Sequence, residues 1–422
     1  MKNYALVLGL GISGQGAAKL LSFHGYEVIG YDRSAREQSS FDFEVRSDAD
    51  SLPSVPVSFL VLSPGIPVTH PLCVKARKRG IEVIGEVELA LRFLKQPCIG
   101  VTGTNGKTTL TLFLAHLLQK AGRKARVLGN VGMSAAAYAC RADKEEVLVL
   151  ELSSFQLETM STRSLSCGVI TTITPDHLDR YGDLASYARA KCRIGTLIQP
   201  GGKLFVLSEL FQKYRHLLTA APAVEVVDEV SSIQLTTKRQ YWGRLGVDKE
   251  RFARRIARYF SVDQRWVEPS FKTFSFPPHR LEYVGEKNGV VFYNDSKATN
   301  LDATLFAVKA VKKPIILIAG GVHKGGEFAT WKQLFKKRVK RVMTLGEAAP
   351  LIEEALGDEF PVIHCGDLDE AVQQAVAVAT AGDTVLLSPG CASFDQFSTY
   401  EERGELFKQL VAVVNVTEWR KK

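Results

Sequence analysis

Strands alternate with helices along most of this 422-residue chain, which predicts an α/β protein of mostly parallel sheets covered on both faces. Two glycine-rich turns support that class, since each follows an apolar strand and opens a helix: Gly9 to Gly14 near the start, and Gly100 to Gly106 further on. Length is the third observation. A chain of 422 residues exceeds one typical core, so two or three domains are expected, and the order of elements along the chain gives three, over residues 1–95, 96–276 and 277–422.

The first domain opens with a strand from Tyr4 to Leu8, the turn Gly9-Leu10-Gly11-Ile12-Ser13-Gly14, and a helix from Gln15 to Phe23. A second strand, Tyr26 to Tyr31, ends at Asp32, so a full G-x-G-x-x-G is followed by an acid about 20 positions on, as in a Rossmann-like domain. Taken alone, this reads as a nicotinamide- or flavin-dinucleotide site. The physics asks only that a diphosphate sit on a helix N-terminus while Asp32 accepts a hydrogen bond from ribose or base. A UDP-linked molecule meets those demands equally well. A further strand, Phe59 to Leu62, runs into the turn Ser63-Pro64-Gly65-Ile66-Pro67.

The second domain carries Gly100-Val101-Thr102-Gly103-Thr104-Asn105-Gly106-Lys107-Thr108-Thr109 between a strand (Pro97 to Val101) and an apolar helical run (Leu110 to Gln119). Glycine lets backbone N–H groups wrap an oxyanion, and the helix N-terminus adds positive charge. Lys107 can reach β- and γ-phosphates, and the Thr108 hydroxyl can ligate magnesium. The spacing departs from the usual phosphate loop, with glycines at Gly100 and Gly103, but strand before and helix after point to a P-loop-like nucleoside-triphosphate site. Val147 to Leu150 reads as a buried strand ending in Glu151, where such folds place a magnesium ligand or a water-orienting acid. Another strand, Gly168 to Ile173, leads into Thr174-Pro175-Asp176-His177-Leu178-Asp179-Arg180-Tyr181, whose histidine between two aspartates is a site candidate. The charged stretch from Glu225 to Pro269 has no assignable role.

The third domain begins near Pro277. Strand Val290 to Tyr293 runs into Asn294-Asp295-Ser296-Lys297-Ala298-Thr299-Asn300 and a helix from Leu301 to Val311. Strand Ile315 to Ala319, the turn Gly320-Gly321, strand Arg341 to Leu345, helix Leu368 to Thr380, strand Thr384 to Ser388 and a final helix from about Phe394 complete it.

Hydrophobic content of 45% and charged content of 23% describe an ordinary soluble protein. The net charge of +9 favours anionic ligands but is too diffuse for nucleic-acid binding. Two basic clusters, Lys336-Lys337-Arg338 with Lys340-Arg341, and Arg251 with Arg254, Arg255 and Arg258, read as solvated helix faces. The seven cysteines are scattered with no C-x-x-C pair, which argues against a zinc site or a disulfide framework and suits a cytoplasmic protein. Glycines break the apolar start, so no signal peptide is expected, and no run of 18 apolar residues predicts a membrane span.

The ordered motifs Gly103-x-x-Gly106-Lys107-Thr108-Thr109, Glu151-Leu152-Ser153-Ser154-Phe155-Gln156-Leu157-Glu158 and Asp176-His177-Leu178-Asp179-Arg180-Tyr181 resemble the Mur ligases of peptidoglycan synthesis. Pro278-His279-Arg280, Asn294 to Asn300 and Ser388-Pro389-Gly390-Cys391-Ala392-Ser393-Phe394-Asp395-Gln396-Phe397 resemble the D-glutamate-adding branch. The resemblance implies three domains, the first Rossmann-like and UDP-binding, the second P-loop-like and ATP-binding, the third Rossmann-like and binding the incoming amino acid. It implies that the carboxylate of UDP-N-acetylmuramoyl-L-alanine attacks the γ-phosphate of ATP, and that D-glutamate then attacks the acyl phosphate. Three ligands on separate domains imply closure during the cycle, and a monomer is the working expectation.

Carried onto this sequence, the resemblance makes Lys107 the phosphate clamp within an ATP site of Gly103, Thr104, Asn105, Gly106, Thr108, Thr109, Arg280, Asn294 and Asp295. Thr108 and Glu151 would hold a first magnesium, and His177 a second, supported by Lys191 as the lysine carbamylated in the family. Without the family, Lys191 reads as a helical surface lysine. Gly11, Ile12, Ser13, Asp32, Arg33, Asn130 and His177 would contact the UDP-linked substrate, and Lys297, Thr299, Lys324, Ser393, Phe394 and Tyr400 the D-glutamate. Tyr400 stands where the family usually has phenylalanine, which leaves its hydroxyl unexplained. The family's H-N-x-x-N motif is missing from Gln234 to Leu245, which puts adenine recognition in doubt. The rival readings are a sister ligase adding another amino acid or adding glutamate to folate, an NAD-binding oxidoreductase, and a nucleotide-binding protein without catalysis.

Overall fold

The computed structural model describes residues 3–33, 41–47, 51–227 and 243–414, with side chains from 248 onward in the last stretch. The side chains of Gln234 to Leu245, where the H-N-x-x-N motif is missing, lie outside the described residues. The chain divides into two compact units, one of residues 1–173, 188–231 and 248–274, the other of 174–187, 232–247 and 275–422.

The first unit contains two sheets. One joins β1 (Tyr4–Leu8), β2 (Glu27–Tyr31), β3 (Glu44–Arg46), β4 (Val57–Leu62) and β5 (Glu82–Gly85) in the order β3-β2-β1-β4-β5. All its pairings are parallel, and the order reverses at β1, whose C-terminal end leads into Gly9. The second joins β6 (Cys98–Thr102), β7 (Ala125–Gly129), β8 (Val147–Glu151), β9 (Leu165–Ile170), β10 (Ile198–Leu207) and β11 (Val224–Val227) in the order β11-β10-β9-β6-β8-β7. Again every pairing is parallel. Buried Val, Ile and Leu fill β6, β8 and β9, as expected of strands covered on both faces.

Two carboxylates on the helix Glu86–Phe93 fasten these layers into one unit. Glu86, 2% exposed, accepts from the Ser134 hydroxyl and the Ala136 amide at 2.6 Å each. Glu88, 0% exposed, accepts from the backbone N–H groups of Ser161 and Thr162 at 2.9 and 3.1 Å and from the Thr162 hydroxyl at 2.6 Å. Burial alone would raise the Glu88 pKa; the Thr162 and Ser161 hydrogen bonds and the Arg92 charge outweigh it and hold the carboxylate below 4.5. A depressed folded-state pKa stabilises above the unfolded value, and that stability is lost as pH falls through the folded one. Glu88→Ala should therefore cost about 3 kcal/mol near neutrality. Urea melts should show the gap narrowing as pH falls below 4.5.

The second unit holds β12 (Glu282–Lys287), β13 (Val290–Asn294), β14 (Ile315–Gly320), β15 (Val339–Leu345), β16 (Val362–His364) and β17 (Thr384–Leu387) in the order β12-β13-β17-β14-β15-β16. Only the β12–β13 pairing is antiparallel. Its hairpin turn is Asn288-Gly289, both at positive φ (50° and 75°), which two-residue turns of this hand require. Along β14, Ile315, Leu317 and Ala319 face one core and Ile316 and Ile318 the other, so helices cover both faces.

Several boundaries differ from expectation. The first helix starts at Ile12 rather than Gln15, so the glycine turn feeds it directly. The strand expected over Gly168–Ile173 runs from Leu165 to Ile170. The last helix begins at Tyr400 rather than Phe394, because Thr399 caps it by accepting from the Glu402 amide. The basic cluster at 336–341 is not a helix face. Lys340 and Arg341 lie on β15, Lys340 pairs with Asp383 at 2.7 Å, and Arg338 donates to the Val308 and Val311 carbonyls, closing the C-terminus of the helix Leu301–Ala310. The other cluster is helical as expected, on Gly243–Tyr259, with Arg251, Arg254 and Arg255 paired to Asp248, Glu250 and Glu225. No helix among the described residues is long and apolar enough to cross a membrane.

Candidate functional site

In the first glycine turn, Gly9 (φ +87°) accepts a 2.8 Å hydrogen bond from the Ser63 hydroxyl, and a Cβ on Gly14 would lie 1.8 Å from the Gly9 carbonyl oxygen. Those two glycines serve the turn itself. A Cβ on Gly11 would meet nothing within 4 Å, so packing within the chain does not itself require glycine there. Beside it Ile12 is 84% exposed at the helix start. Asp32 accepts from the Leu10 amide at 2.7 Å, so part of its acceptor capacity braces the turn. Ser13 is half-buried in the first helical turn and Arg33 is exposed.

The phosphate loop leaves β6 at Thr102. Gly103 (φ +138°) passes so close to β9 that a Cβ would lie 2.0 Å from the Thr171 hydroxyl, and Gly106 (φ +84°) turns the chain into the helix Lys107–Lys120. Two loop amides expected to face phosphate do not. The Thr104 N–H donates to the Thr172 carbonyl at 2.7 Å and the Asn105 N–H to the Thr172 hydroxyl at 3.0 Å, so both brace the loop. The first helical bond, Leu110 N–H to Gly106 O, leaves the amides of 106–109 ahead of the helical ladder, the position from which a helix binds anions. The Lys107 ammonium donates to the Thr104 carbonyl at 2.8 Å. Thr108 and Thr109 are buried in the first turn.

Glu151 pairs in register with Val101 of β6, just before the loop. Asn130, expected at the sugar-peptide substrate, holds this carboxylate: its side-chain amide donates to Glu151 Oε1 at 2.8 Å and its backbone N–H to the Glu151 carbonyl at 2.9 Å. The Oε2 oxygen is buried without a hydrogen-bond partner among the described residues, and such an oxygen is costly unless a cation meets it. A carboxylate oxygen of this kind suits magnesium, which typically takes few protein ligands and several phosphate or water oxygens. Among the described residues, no group of three His, Cys, Asp or Glu side chains is arranged to hold a metal ion.

Lys191 overturns the surface-lysine reading. It is 1% exposed, and its ammonium donates to the Gly103 carbonyl at 2.7 Å. The helix Leu184–Cys192 thus sends a cation into the phosphate loop.

The second unit gathers the remaining residues at the C-terminal ends of β13, β14 and β17, where open α/β sheets bind ligands. Asn294 is 0% exposed; its side-chain nitrogen lies within hydrogen-bond distance of His279, Glu282 and the Gly404 carbonyl and its oxygen accepts from the Ser296 N–H, so it braces the turn. Asp295 accepts from the Ser388 hydroxyl (2.9 Å) and the Leu281 N–H (3.1 Å), next to the half-buried Arg280. Burial pushes its pKa up to about 7, against hydrogen bonds that lower it. A raised folded-state pKa means stability is lost between the unfolded value of 3.8 and about 7. Asp295→Asn should thus raise Tm by roughly a few degrees at pH 8 and by almost nothing at pH 4, as calorimetry would show.

Lys297 lies with its ammonium 3.4 Å from the centroid of the Tyr400 ring, which gives Tyr400 a cation–π role that needs the ring and not the hydroxyl. Lys324 contacts Thr299 (3.5 Å) and pairs with Asp176 at 3.0 Å. Ser393 is 2% exposed, and Phe394, on the loop after β17, is 74% exposed. His177 is held at φ 55°, an uncommon conformation for a non-glycine residue, at the start of the short helix Leu178–Tyr181.

Sequence reading missed Thr172, Asp176 and Arg403 as contributors. Arg403, 2% exposed, donates to the Ser296 hydroxyl and carbonyl and to the Cys391 and Ala392 carbonyls, so it ties together the turns after β13 and β17. Burial pulls its pKa down to about 10. Only the acid beside His177 carried a usable sequence signal; a lone arginine in Glu401-Glu402-Arg403 looks like a solvated helix residue.

Residues 101–263 match the family profile described as Mur ligase middle domain, and residues 279–391 the profile described as Mur ligase, glutamate ligase domain. A UDP-N-acetylmuramoylalanine–D-glutamate ligase from Protochlamydia amoebophila is 41% identical, over 98% of this chain and 100% of its own length. One from Caldanaerobacter subterraneus is 35% identical over 96% of this chain and 97% of its own. Among solved structures, the MurF ligase of Thermotoga maritima in complex with ADP shares the fold (TM-score 0.63, 15% identity, 97% and 95% of the two chains), as does UDP-N-acetylmuramate-alanine ligase MurC of the same organism (TM-score 0.59, 16% identity, 98% and 100%). With family profiles on two of its sheets and relatives aligned along nearly its whole length, the chain belongs to the Mur ligase family.

Proposed function

We propose that this chain joins D-glutamate to UDP-N-acetylmuramoyl-L-alanine at the expense of ATP, a cytoplasmic step in peptidoglycan precursor synthesis. The observation that carries the reading is the phosphate loop, where Lys107 and the buried Lys191 both donate to loop carbonyls and Glu151 keeps an unpartnered buried oxygen. Relatives of that name, 35–41% identical over nearly full length, supply the substrates.

In this reading residues 1–95 bind the UDP moiety through Gly11, Ile12, Ser13, Asp32 and Arg33, residues 96–276 bind ATP, and residues 277–422 bind the amino acid. The alanine carboxylate attacks the γ-phosphorus, and the bond from phosphorus to the bridging oxygen breaks to release ADP. Lys107 and the amides of 106–109 hold the transferring group and its developing charge. Thr108 and Glu151 would hold one magnesium ion, and His177 with a carbamylated Lys191 a second; such ions would neutralise phosphate charge. The neutral D-glutamate amine then attacks the acyl carbon; phosphate leaves with the electrons of the C–O bond, and the amide forms as the nitrogen loses one proton, which the departing phosphate can accept. Lys297, Thr299, Lys324 and Ser393 hold the two carboxylates of the incoming residue, and Tyr400 holds Lys297.

The test is isotopic. With ¹⁸O in the alanine carboxylate of the UDP-linked substrate, one label should appear in the released phosphate. Unlabelled phosphate would remove the acyl-phosphate route.

A further inference from the structure

The polar residues assigned to the incoming amino acid are cations and hydroxyls. They answer its two carboxylates and leave its α-ammonium without an anionic partner. One carboxylate stands among them. Asp176 is 6% exposed; its Oδ1 lies 3.0 Å from the Lys324 ammonium and its Oδ2 accepts from the Asn300 side-chain amide at 3.3 Å. Lys324 in turn contacts Thr299 at 3.5 Å, so a cation, an anion and a hydroxyl adjoin one another.

The backbone fixes this arrangement as well as the side chains. The Leu178 N–H donates to the Lys324 carbonyl at 3.4 Å. Gly325 (φ +96°) runs so close that a Cβ there would lie 3.0 Å from Leu178 Cβ. The segment carrying Asp176 is therefore held against the segment carrying Lys324, both in the second unit.

We propose that Asp176 binds the α-ammonium of the incoming amino acid, an assignment that rests on the ligase reading above. The Asp176–Lys324 pair opens into two pairs, ammonium on Asp176 and carboxylate on Lys324, with no change in net charge. A zwitterion of matching geometry replaces each broken contact, whereas a simple dicarboxylate replaces only one. The side-chain carboxylate of the amino acid supplies a third fixed point. Three points on one tetrahedral carbon distinguish D from L, so Asp176 also determines stereochemical choice.

The experiment compares D-glutamate with glutarate, which keeps both carboxylates and lacks the amine. In Asp176→Asn the KM for D-glutamate should rise about tenfold or more. The inhibition constant of glutarate should stay unchanged or fall, and the preference for D- over L-glutamate should narrow. KM for ATP and for the UDP-linked substrate should not move. Asp176→Glu, which keeps the charge, should recover part of the D-glutamate affinity. For a variant too slow to assay, isothermal titration of D-glutamate and glutarate gives the same comparison. Equal weakening of both ligands would show that Asp176 only holds Lys324 in place, and an unchanged D-glutamate KM would also overturn the proposal. Wild-type protein that releases no phosphate with D-glutamate would instead remove the ligase reading itself.

Discussion

Lys107→Ala should lower the rate of ligation by roughly 100-fold or more, because a preorganised charge on a transferring group is typically worth several kcal/mol. The loss should fall on kcat and on kcat/KM alike, since the interaction strengthens as the phosphoryl group moves. Lys107 also donates to the Thr104 carbonyl at 2.8 Å, so its removal frees one loop carbonyl. Thr104 and Asn105 remain tied through their amides to Thr172, which keeps the loop shaped in the variant. An unchanged Tm with collapsed turnover is therefore the expected pair of results. Near-normal turnover would remove the phosphate-loop assignment.

Lys191→Ala should be inactive and partly rescued by small carboxylate anions such as acetate. Two consequences of the substitution separate cleanly. The ammonium now donates to the Gly103 carbonyl at 2.7 Å, and a carbamylated nitrogen keeps one N–H for that same bond while adding two anionic oxygens. A lysine acting only as a brace for the loop would be replaced, in part, by Lys191→Arg, and acetate would do nothing. A lysine acting as a carbamate would be replaced by the anion and not by arginine. Steady-state rates with and without acetate, together with the added mass of carbon dioxide on the wild-type protein, decide between them.

Local chemistry made part of this site legible. Strand, glycine turn and helix are adjacent in sequence at Gly9 to Gly14 and at Gly103 to Thr109, so both turns and the place of Lys107 at a helix start are legible directly. Glu151 was legible as the end of an apolar run that forms β8. Lys191 was not, since its burial depends on a loop carbonyl 88 positions away and nothing in Ala188-Arg189-Ala190-Lys191 reports it. The same holds for Asn294, whose amide is enclosed by His279, Glu282 and Gly404, and for Arg338, whose partners are helix-end carbonyls rather than solvent. The start of the last helix has a local signal, since Thr399-Tyr400-Glu401-Glu402 is a capping pattern and Thr399 caps the helix as that pattern implies. Asp176 lies between these cases, visible as an acid beside His177 while its pairing with Lys324 needed the fold.

The most direct test is phosphate release from ATP and UDP-N-acetylmuramoyl-L-alanine with D-glutamate, L-glutamate, meso-diaminopimelate or no amino acid. Release that depends on D-glutamate alone is the predicted result. Release with meso-diaminopimelate in its place, or with no amino acid at all, would contradict the account.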